Sequence, residues 1–180
     1  MTARIAHRVD QIRSIQLTTH ESAIRIISKS GPLNNPADRD HCLQYMTAVG
    51  LLYGELLADH YEDSFAKADP RIDQLRALMQ VEEDVSYSRD YLDPQKRSIA
   101  NAIQITFADG SKTDKIEVHY PIGHRRRRAE GIPVLEQKFL ANLHTRFPNA
   151  QAQRIYDLSL NHAKLEQTPV PQYTDLYAIN

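Results

Sequence analysis

Alternating hydrophobic and polar positions predict β-strands in three parts of the chain. In residues 11–19, Ile15 and Leu17 share one face and Ser14 and Gln16 the other, as in a strand with one buried face. Residues 99–120 alternate in the same way on both sides of Asp109 and Gly110, a dipeptide typical of a tight hairpin turn. A further short strand is expected at 81–85. The pattern therefore predicts a small sheet that contains a hairpin.

A different spacing, with apolar residues three and four positions apart, predicts a long helix in the first half of the chain. Asn35 is a good cap, and Pro36 suits the first position of a helix that runs to about Ala58. The apolar face of this helix would consist of Cys42, Tyr45, Met46, Val49, Leu52, Tyr53 and Leu56. A short helix is expected after Pro70, whereas residues 86–96 are polar and predict a loop.

The last third of the chain predicts two further helices after a basic stretch at 123–131. Pro133 would open the first and Asn149 would cap the second, and each has an apolar stripe. The tail, residues 168–180, contains two prolines and is predicted to be irregular. Together these elements indicate an α+β fold, with helices packed on a mainly antiparallel sheet and followed by two C-terminal helices.

Composition and charge narrow the class of protein. The chain has 180 residues, of which 41% are hydrophobic and 25% are charged, as in ordinary globular proteins. Lys+Arg number 22 and Asp+Glu number 23, so the net charge of −1 gives no general attraction to nucleic acid or to anionic membranes. No apolar run is long enough to cross a bilayer. We therefore expect neither a nucleic-acid partner nor a membrane partner.

Cysteine and histidine usage bears on metals, cofactors and location. Cys42 is the single cysteine, which excludes a disulfide, a thiolate metal cage and an iron–sulfur cluster built by this chain alone. The eight histidines have no metal-ligand spacing, and the sequence contains no glycine-rich nucleotide-binding motif. We therefore expect no metal and no cofactor. A lone thiol fits a reducing cytoplasm.

The sharpest charge feature is the run of four arginines at 125–128, which follows His124. Such a run can contact phosphate or RNA, or it can bind carboxylates through paired hydrogen bonds. It can also be a solvated loop whose charges pair with acidic residues of the chain. The neutral overall charge and the lack of interleaved aromatic side chains favour the solvated loop over RNA, with carboxylate binding ranked between them.

His41 and Tyr45 are separated by one helical turn, so on a continuous helix they would share a face. Tyr45 also belongs to the apolar stripe, and spacing alone favours a core tyrosine whose hydroxyl finds a partner. The alternative is a helix edge that faces a cleft, with Tyr45 as a proton donor. Arg39, in the first turn, would then be able to hold a carboxylate nearby.

Five stretches of the sequence are distinctive when they are taken together. They are THESAIRII (19–27), GPLNNPADRDHC (31–42), QYM (44–46), KRSIANAI (96–103) and YPIGH (120–124). In these motifs the chain resembles the C-terminal part of proteins of the MmgE/PrpD family. The resemblance extends from about Ile12 to the end of the chain.

The resemblance implies a fold and a division into domains. Members of the family have a large helical domain and then a smaller α+β lid domain, after which the chain returns to the helical domain. Residues 1–130 would be a two-layer lid-type domain, 131–167 the returning C-terminal helices and 168–180 an irregular tail. The helical domain would precede this chain, so it is an expected partner, and the lone chain is expected to be inactive. A non-catalytic binding or regulatory module that retains the lid fold is the alternative.

The resemblance also implies a reaction and the residues for it. The family's reaction is metal-independent loss of water from a tricarboxylate, and 2-methylcitrate would yield 2-methyl-aconitate in propionate breakdown. The related tricarboxylates citrate and cis-aconitate are further expected ligands. Tyr45 matches a tyrosine that relatives place in the active site from the lid, which implies proton transfer or substrate positioning, and His41 is a supporting candidate. Arg39, His124 and Arg126 are our candidates for binding the substrate carboxylates, because a dianionic intermediate needs fixed positive charge.

The apolar stripes of the two C-terminal helices bear on the oligomeric state. They consist of Leu135, Phe139 and Leu143 on the first helix and of Ile155 and Leu158 on the second. These stripes would normally press on the helical domain, and an exposed apolar surface of that size is a liability. We therefore expect the helices to fold back on the lid or to pair between chains, which would give a homodimer.

Overall fold

A computed structural model of the chain describes residues 6–179. These residues form two compact units that divide between Tyr120 and Pro121. The first unit contains a sheet with helices around it, and the described part of the second unit is built from helices. Within residues 6–179, no helix combines the length and the apolar character that crossing a bilayer requires.

The sheet of the first unit has four strands in the order β2-β1-β3-β4. They are β1 (Ile12–Thr19), β2 (Met79–Glu83), β3 (Asn101–Phe107) and β4 (Ile116–Val118). β1 pairs in parallel with β2 and antiparallel with β3, and β3 pairs antiparallel with β4. Periodicity in the sequence thus located all four strands to within a few residues, and the α+β class is confirmed.

The predicted turn at Asp109 and Gly110 lies between β3 and β4. Gly110 has a φ of +82°, a left-handed conformation that a residue without a Cβ adopts readily. Its N–H donates to the Phe107 carbonyl at 3.0 Å. An isolated bridge between Thr106 and Lys112 then precedes β4. The hairpin is therefore present, with an irregular stretch between its two strands.

Three helices follow β1 along the chain. They are α1 (Glu21–Ile27), α2 (Pro36–Asp40) and α3 (Leu43–Tyr53). Asn35 caps α2 as predicted, because its side chain accepts a hydrogen bond from the Asp38 N–H. The start of this helical region was therefore readable from the sequence.

The prediction of one continuous helix from Asn35 to Ala58 is wrong in two places. At His41 and Cys42 the backbone leaves the helical region, with ψ of 33° and 106°. The Cys42 side chain is fully buried, so the extended backbone there places an apolar group in the core. At the other end α3 stops at Gly54, whose φ of +82° caps the helix in the left-handed conformation.

The segment after α3 contacts side chains of both α2 and α3. We name residues 57–63 the strap, which contains a short 3-10 helix, Ala58–Tyr61. It leads into α4 (Asp63–Ala68), and α5 (Arg71–Ala77) follows. α6 (Val85–Leu92) comes after β2.

Two expectations for this part of the chain had different outcomes. The predicted helix after Pro70 is confirmed as α5. The prediction of a loop at 86–96 is wrong, because α6 occupies most of that range. Its start is stabilised by the Asp84 side chain, which accepts from the Ser86 N–H at 2.8 Å, and its single buried residue, Tyr87, anchors it.

The core of the first unit lies between one face of the sheet and the helices α3 and α5. Side chains from the two central strands pack against apolar residues of both helices. The largest contributors that are fully buried are Ile15, Tyr45, Val49, Ile72 and Ile105. The strand periodicity and the helical periodicity therefore meet in a single cluster.

The second unit contains four α-helices within residues 121–179. They are α7 (Arg128–His144), α8 (Asn149–Leu160), α9 (His162–Gln167) and α10 (Val170–Asp175). A small cluster of buried residues, Leu143, Ala152 and Ile155, joins α7 to α8. The apolar stripes predicted for these two helices are thus used in part within the unit.

The prediction of two C-terminal helices and an irregular tail is wrong in its details. Pro133 lies inside α7 rather than at its start, although a proline there removes one intrahelical hydrogen bond. Asn161 separates α8 from α9 and caps the second of them. Residues 168–180 include α10, with Pro169 as its N-cap and Pro171 as its second residue, where the missing N–H of a proline is not needed.

Candidate functional site

The residues singled out in the sequence lie where α2 gives way to α3. Arg39 is in the last turn of α2, His41 follows that helix, and Tyr45 is in the first turn of α3. Because the chain is not helical between them, the prediction that His41 and Tyr45 share a helical face is wrong. The side chain of His41 is 59% exposed, whereas Tyr45 is 2% exposed.

Tyr45 is packed inside the first unit. Its hydroxyl donates a hydrogen bond to the His60 carbonyl in the strap at 2.6 Å. Its ring lies 6.3 Å from the ring of Tyr61, measured between centroids. Burial raises the pKa of Tyr45, and the nearby charge of Arg39 opposes that shift. In this chain Tyr45 therefore has the arrangement expected of a core tyrosine whose hydroxyl has a partner.

Arg39 also binds the strap. Its side chain is 4% exposed, and its Nε donates to the Tyr61 carbonyl at 2.6 Å. One terminal nitrogen forms an ion pair with the Asp63 carboxylate, and the other lies 3.5 Å from the Leu33 carbonyl. The hydrogen bond from Arg39 holds the pKa of Asp63 below its usual range. The positive charge of Arg39 is thus compensated within the chain.

A more exposed group of polar side chains lies beside these buried contacts. The Asp40 carboxylate is 2.5 Å from Nδ1 of His41, and both side chains are accessible to solvent. Tyr61 is half-buried, and its pKa is raised first by that burial and then by the negative charge of Asp40. Asp40 and His41 therefore present polar groups to solvent, and the half-buried Tyr61 is close enough to Asp40 to be influenced by its charge.

A second tyrosine hydroxyl ties α3 to the start of α5. Tyr53 donates to the Asp69 carboxylate at 2.6 Å, and Arg71 grips the same carboxylate with Nε and Nη2. The hydrogen bond from Arg71 holds the pKa of Asp69 far below its usual range. The Tyr53 ring also packs against Phe65 at 5.1 Å between centroids. These contacts brace the chain on both sides of α4.

His124 and Arg126 lie in the second unit. The Nδ1 atom of His124 accepts a hydrogen bond from the Arg126 N–H at 3.1 Å and thereby caps the 3-10 helix Arg125–Arg127. The side chain of Arg126 is exposed, and the neighbouring Arg127 pairs with Glu130 at 2.7 Å. Local pairing of this kind was one of the alternatives for the arginine run.

The described residues also bear on metal binding. Among residues 6–179, no three His, Cys, Asp or Glu side chains come close enough together to hold a metal ion. The polar groups around α2, α3 and the strap are arginine, histidine, tyrosine and isolated carboxylates. Their chemistry is hydrogen bonding, proton transfer and ion pairing.

The family model for the MmgE/PrpD C-terminal domain matches residues 1–162. The chain belongs to the MmgE/PrpD family. The resemblance drawn from the five motifs is thereby confirmed, and the matched region includes both α2 and α3 with the strap.

Three relatives show how far the similarity extends. The 2-methylcitrate dehydratase of Cupriavidus necator is 58% identical over 93% of this chain, which covers 34% of that protein. The 2-methylcitrate dehydratase of Salmonella typhimurium is 56% identical, with 93% of this chain and 35% of the relative covered. The mitochondrial 2-methylcitrate dehydratase of Yarrowia lipolytica is 51% identical over 93% of this chain and 32% of its own. The chain spans about a third of the length of the curated relatives it matches.

Sequence reasoning missed the part of this MmgE/PrpD domain that holds the candidate residues in place. Tyr61, Asp63 and Asp69 were not singled out, although each contacts the α2–α3 region through its backbone or its side chain. The one signal was compositional, because the segment after Gly54 is rich in carboxylates and aromatic residues. No regular spacing in that segment points back to Arg39.

Proposed function

We propose that this chain supplies the C-terminal part of an enzyme that removes water from 2-methylcitrate to form 2-methyl-aconitate in propionate breakdown. The observation that carries the proposal is the identity of 51–58% to proteins named 2-methylcitrate dehydratase over 93% of the chain. Since the chain spans about a third of those relatives, the proposed activity belongs to the longer protein. The proposed reaction uses no metal.

The chemistry explains which side chains the reaction needs. A base takes a proton from a carbon next to a carboxylate, and the carbon–oxygen bond of the hydroxyl group breaks. An acid must protonate the departing hydroxide, and fixed positive charge must stabilise the carboxylates. The hydroxyl, imidazole and guanidinium groups of this domain are therefore the ones that could supply a proton or bind a carboxylate.

The roles proposed for individual residues follow from that chemistry. His41 is a surface donor to substrate, and its accessibility supports that role. Tyr45 takes part in proton transfer or positioning, and direct contact with substrate requires its hydroxyl to leave the His60 carbonyl. Arg39 binds a carboxylate only by exchanging its contact with Asp63. His124 and Arg126 are proposed as carboxylate ligands from the second unit.

The test is a chimera in which this chain replaces the C-terminal third of the Cupriavidus necator relative. Dehydration of 2-methylcitrate creates a carbon–carbon double bond, so its ultraviolet absorbance reports turnover. We expect the chimera to be active and the purified 180-residue chain to be inactive, because we expect the base and most of the positive charge in the part of the relative that this chain does not cover. An inactive but folded chimera would contradict the proposed function, and turnover by the lone chain would contradict the proposed division of labour.

We also propose a cytoplasmic homodimer. Ile132, Val134 and Leu135 on α7 are each about half exposed, and burying them between two chains would remove apolar surface from water. Light scattering of the purified chain should give twice the mass of 20.6 kDa. A strictly monomeric chain would refute the dimer and leave the proposed activity untouched.

A further inference from the structure

Two buried side chains hold consecutive carbonyl groups of the strap. The Tyr45 hydroxyl donates to the carbonyl of His60 and Arg39 Nε donates to the carbonyl of Tyr61, each at 2.6 Å. Arg39 also pairs with the Asp63 carboxylate two residues further along. The backbone around Tyr61 is therefore fixed from both sides by groups that are almost completely buried.

The hydroxyl groups of the three tyrosines in this region are used differently. Tyr45 is bonded to His60, and Tyr53 is bonded to Asp69 at 2.6 Å. Tyr61 is half-buried, and within residues 6–179 its backbone carbonyl accepts from Arg39 while its hydroxyl has no hydrogen-bond partner. Of these three, the phenol of Tyr61 is thus the one that can meet a ligand without breaking an existing bond.

We propose that Tyr61 is the phenol that this domain presents to the substrate, with Tyr45 and Arg39 as its positioning residues. The inference rests on the proposed dehydratase function. In this arrangement Arg39 holds the strap and does not bind a substrate carboxylate. The buried Tyr45 holds the neighbouring His60 carbonyl. A phenol held by fixed backbone contacts loses little freedom when it meets the substrate.

The proposed step balances as a loss of water. A base removes the proton from the substrate carbon, whose electrons form the double bond, and the carbon–oxygen bond breaks toward oxygen. The Tyr61 O–H gives its proton to the departing hydroxide, which leaves as water, and the phenolate then regains a proton from solvent. Burial first, and then the negative charge of Asp40, raise the pKa of Tyr61 and disfavour the phenolate, so Tyr61 is protonated before the reaction starts.

The experiment uses the chimera with Tyr61→Phe, which keeps the ring, its packing on Tyr45 and the backbone bond to Arg39. Only the hydroxyl is lost. We expect kcat to fall by at least about 100-fold, the usual contribution of a general acid, with KM nearly unchanged. Tyr53→Phe is the matched control, because it removes a hydroxyl committed to Asp69, and its kcat should stay close to that of the unsubstituted chimera.

The positioning role of Arg39 has its own variants. Arg39→Met should lower kcat without a large rise in KM, and Arg39→Lys should restore part of it, since an ammonium can still reach the strap. The double variant with Tyr61→Phe should be little worse than Tyr61→Phe alone. Arg76→Met is the control for stability, because Arg76 is a 9% exposed arginine that bonds the Gly31 carbonyl and Asp73, neither of which belongs to the strap.

The outcomes separate the two levels of the proposal. If the unsubstituted chimera is active and Tyr61→Phe retains its kcat, Tyr61 is a packing residue and this inference is overturned while the function stands. If Arg39→Met raises KM greatly and leaves kcat unchanged, Arg39 binds substrate and is not a positioning residue. An inactive unsubstituted chimera overturns both the function and the inference.

Discussion

Replacing Arg39 with methionine is the most direct perturbation of the contacts that hold the strap. Methionine retains a flexible apolar stem of similar length, so packing is largely preserved and the polar contacts are removed. The side chain is 4% exposed, and its principal bond goes to the Tyr61 carbonyl at 2.6 Å. The substitution therefore isolates the contribution of one buried guanidinium.

The size of the loss in stability depends on whether water can replace Arg39 at each of its hydrogen-bond partners. A hydrogen bond from a charged donor contributes about 1.5–3 kcal/mol, and the Tyr61 carbonyl would lose its partner. The Asp63 side chain is 50% exposed, so water replaces Arg39 there and the ion pair adds little. We expect the free energy of unfolding to fall by about 2–3 kcal/mol, or roughly 4–12 °C in melting temperature for a chain of this length.

Thermal unfolding followed by circular dichroism measures the loss of stability. Amide hydrogen exchange at 57–63 tests whether the strap is the part that loosens. The control is Arg25→Met, which removes an exposed arginine from an i, i+4 pair with Glu21. If Arg39→Met were as stable as Arg25→Met, with unchanged protection of the strap, the reasoning that Arg39 fixes this segment would be refuted.

Three further outcomes follow from other contacts. The pKa of Asp69 is depressed in the folded state. The contribution of Asp69 to the free energy of unfolding is therefore present above the pKa of an unfolded aspartate and is lost as the pH falls through the folded value. Asp69→Asn should accordingly make the free energy of unfolding less sensitive to acid. Tyr45→Phe removes one hydrogen bond to the His60 carbonyl and should lower the free energy of unfolding in urea by about 1 kcal/mol. The same substitution should lower kcat of the chimera more than tenfold. Equal turnover would exclude a part for Tyr45 in the reaction. Gly54→Ala places a Cβ at φ +82° and should destabilise by about 1 kcal/mol, and an unchanged melting temperature would contradict the left-handed cap.

The break between α2 and α3 shows where local sequence signals stop being sufficient. Nothing between Asp40 and Leu43 is a glycine or a proline, so the apolar spacing predicted an uninterrupted helix. The break places Cys42 in the core, and the burial of that side chain depends on packing partners elsewhere in the chain. Its consequence for the site is large, because it leaves His41 at the surface and Tyr45 inside.

The ion pairing of Arg39 also depends on contacts that local sequence signals do not reveal. By local spacing it is an arginine in the first turn of a helix, available for an anion. In the fold its partners are the Tyr61 carbonyl and the Asp63 carboxylate, which are 22 and 24 residues away along the chain. A pairing over that separation has no periodicity, so spacing rules do not detect it.

The sequence by itself determined the strands, the cap at Asn35, the α+β class and the family, because each of these depends on local periodicity or on continuous motifs. Tertiary structure alone decided which polar groups are satisfied inside the chain and which face outward. Buried polar groups must be paired, and their partners come from distant segments. Tyr45 and Arg39 thus have their partners in the strap, whereas the His41 side chain is exposed and Tyr61 is half-buried.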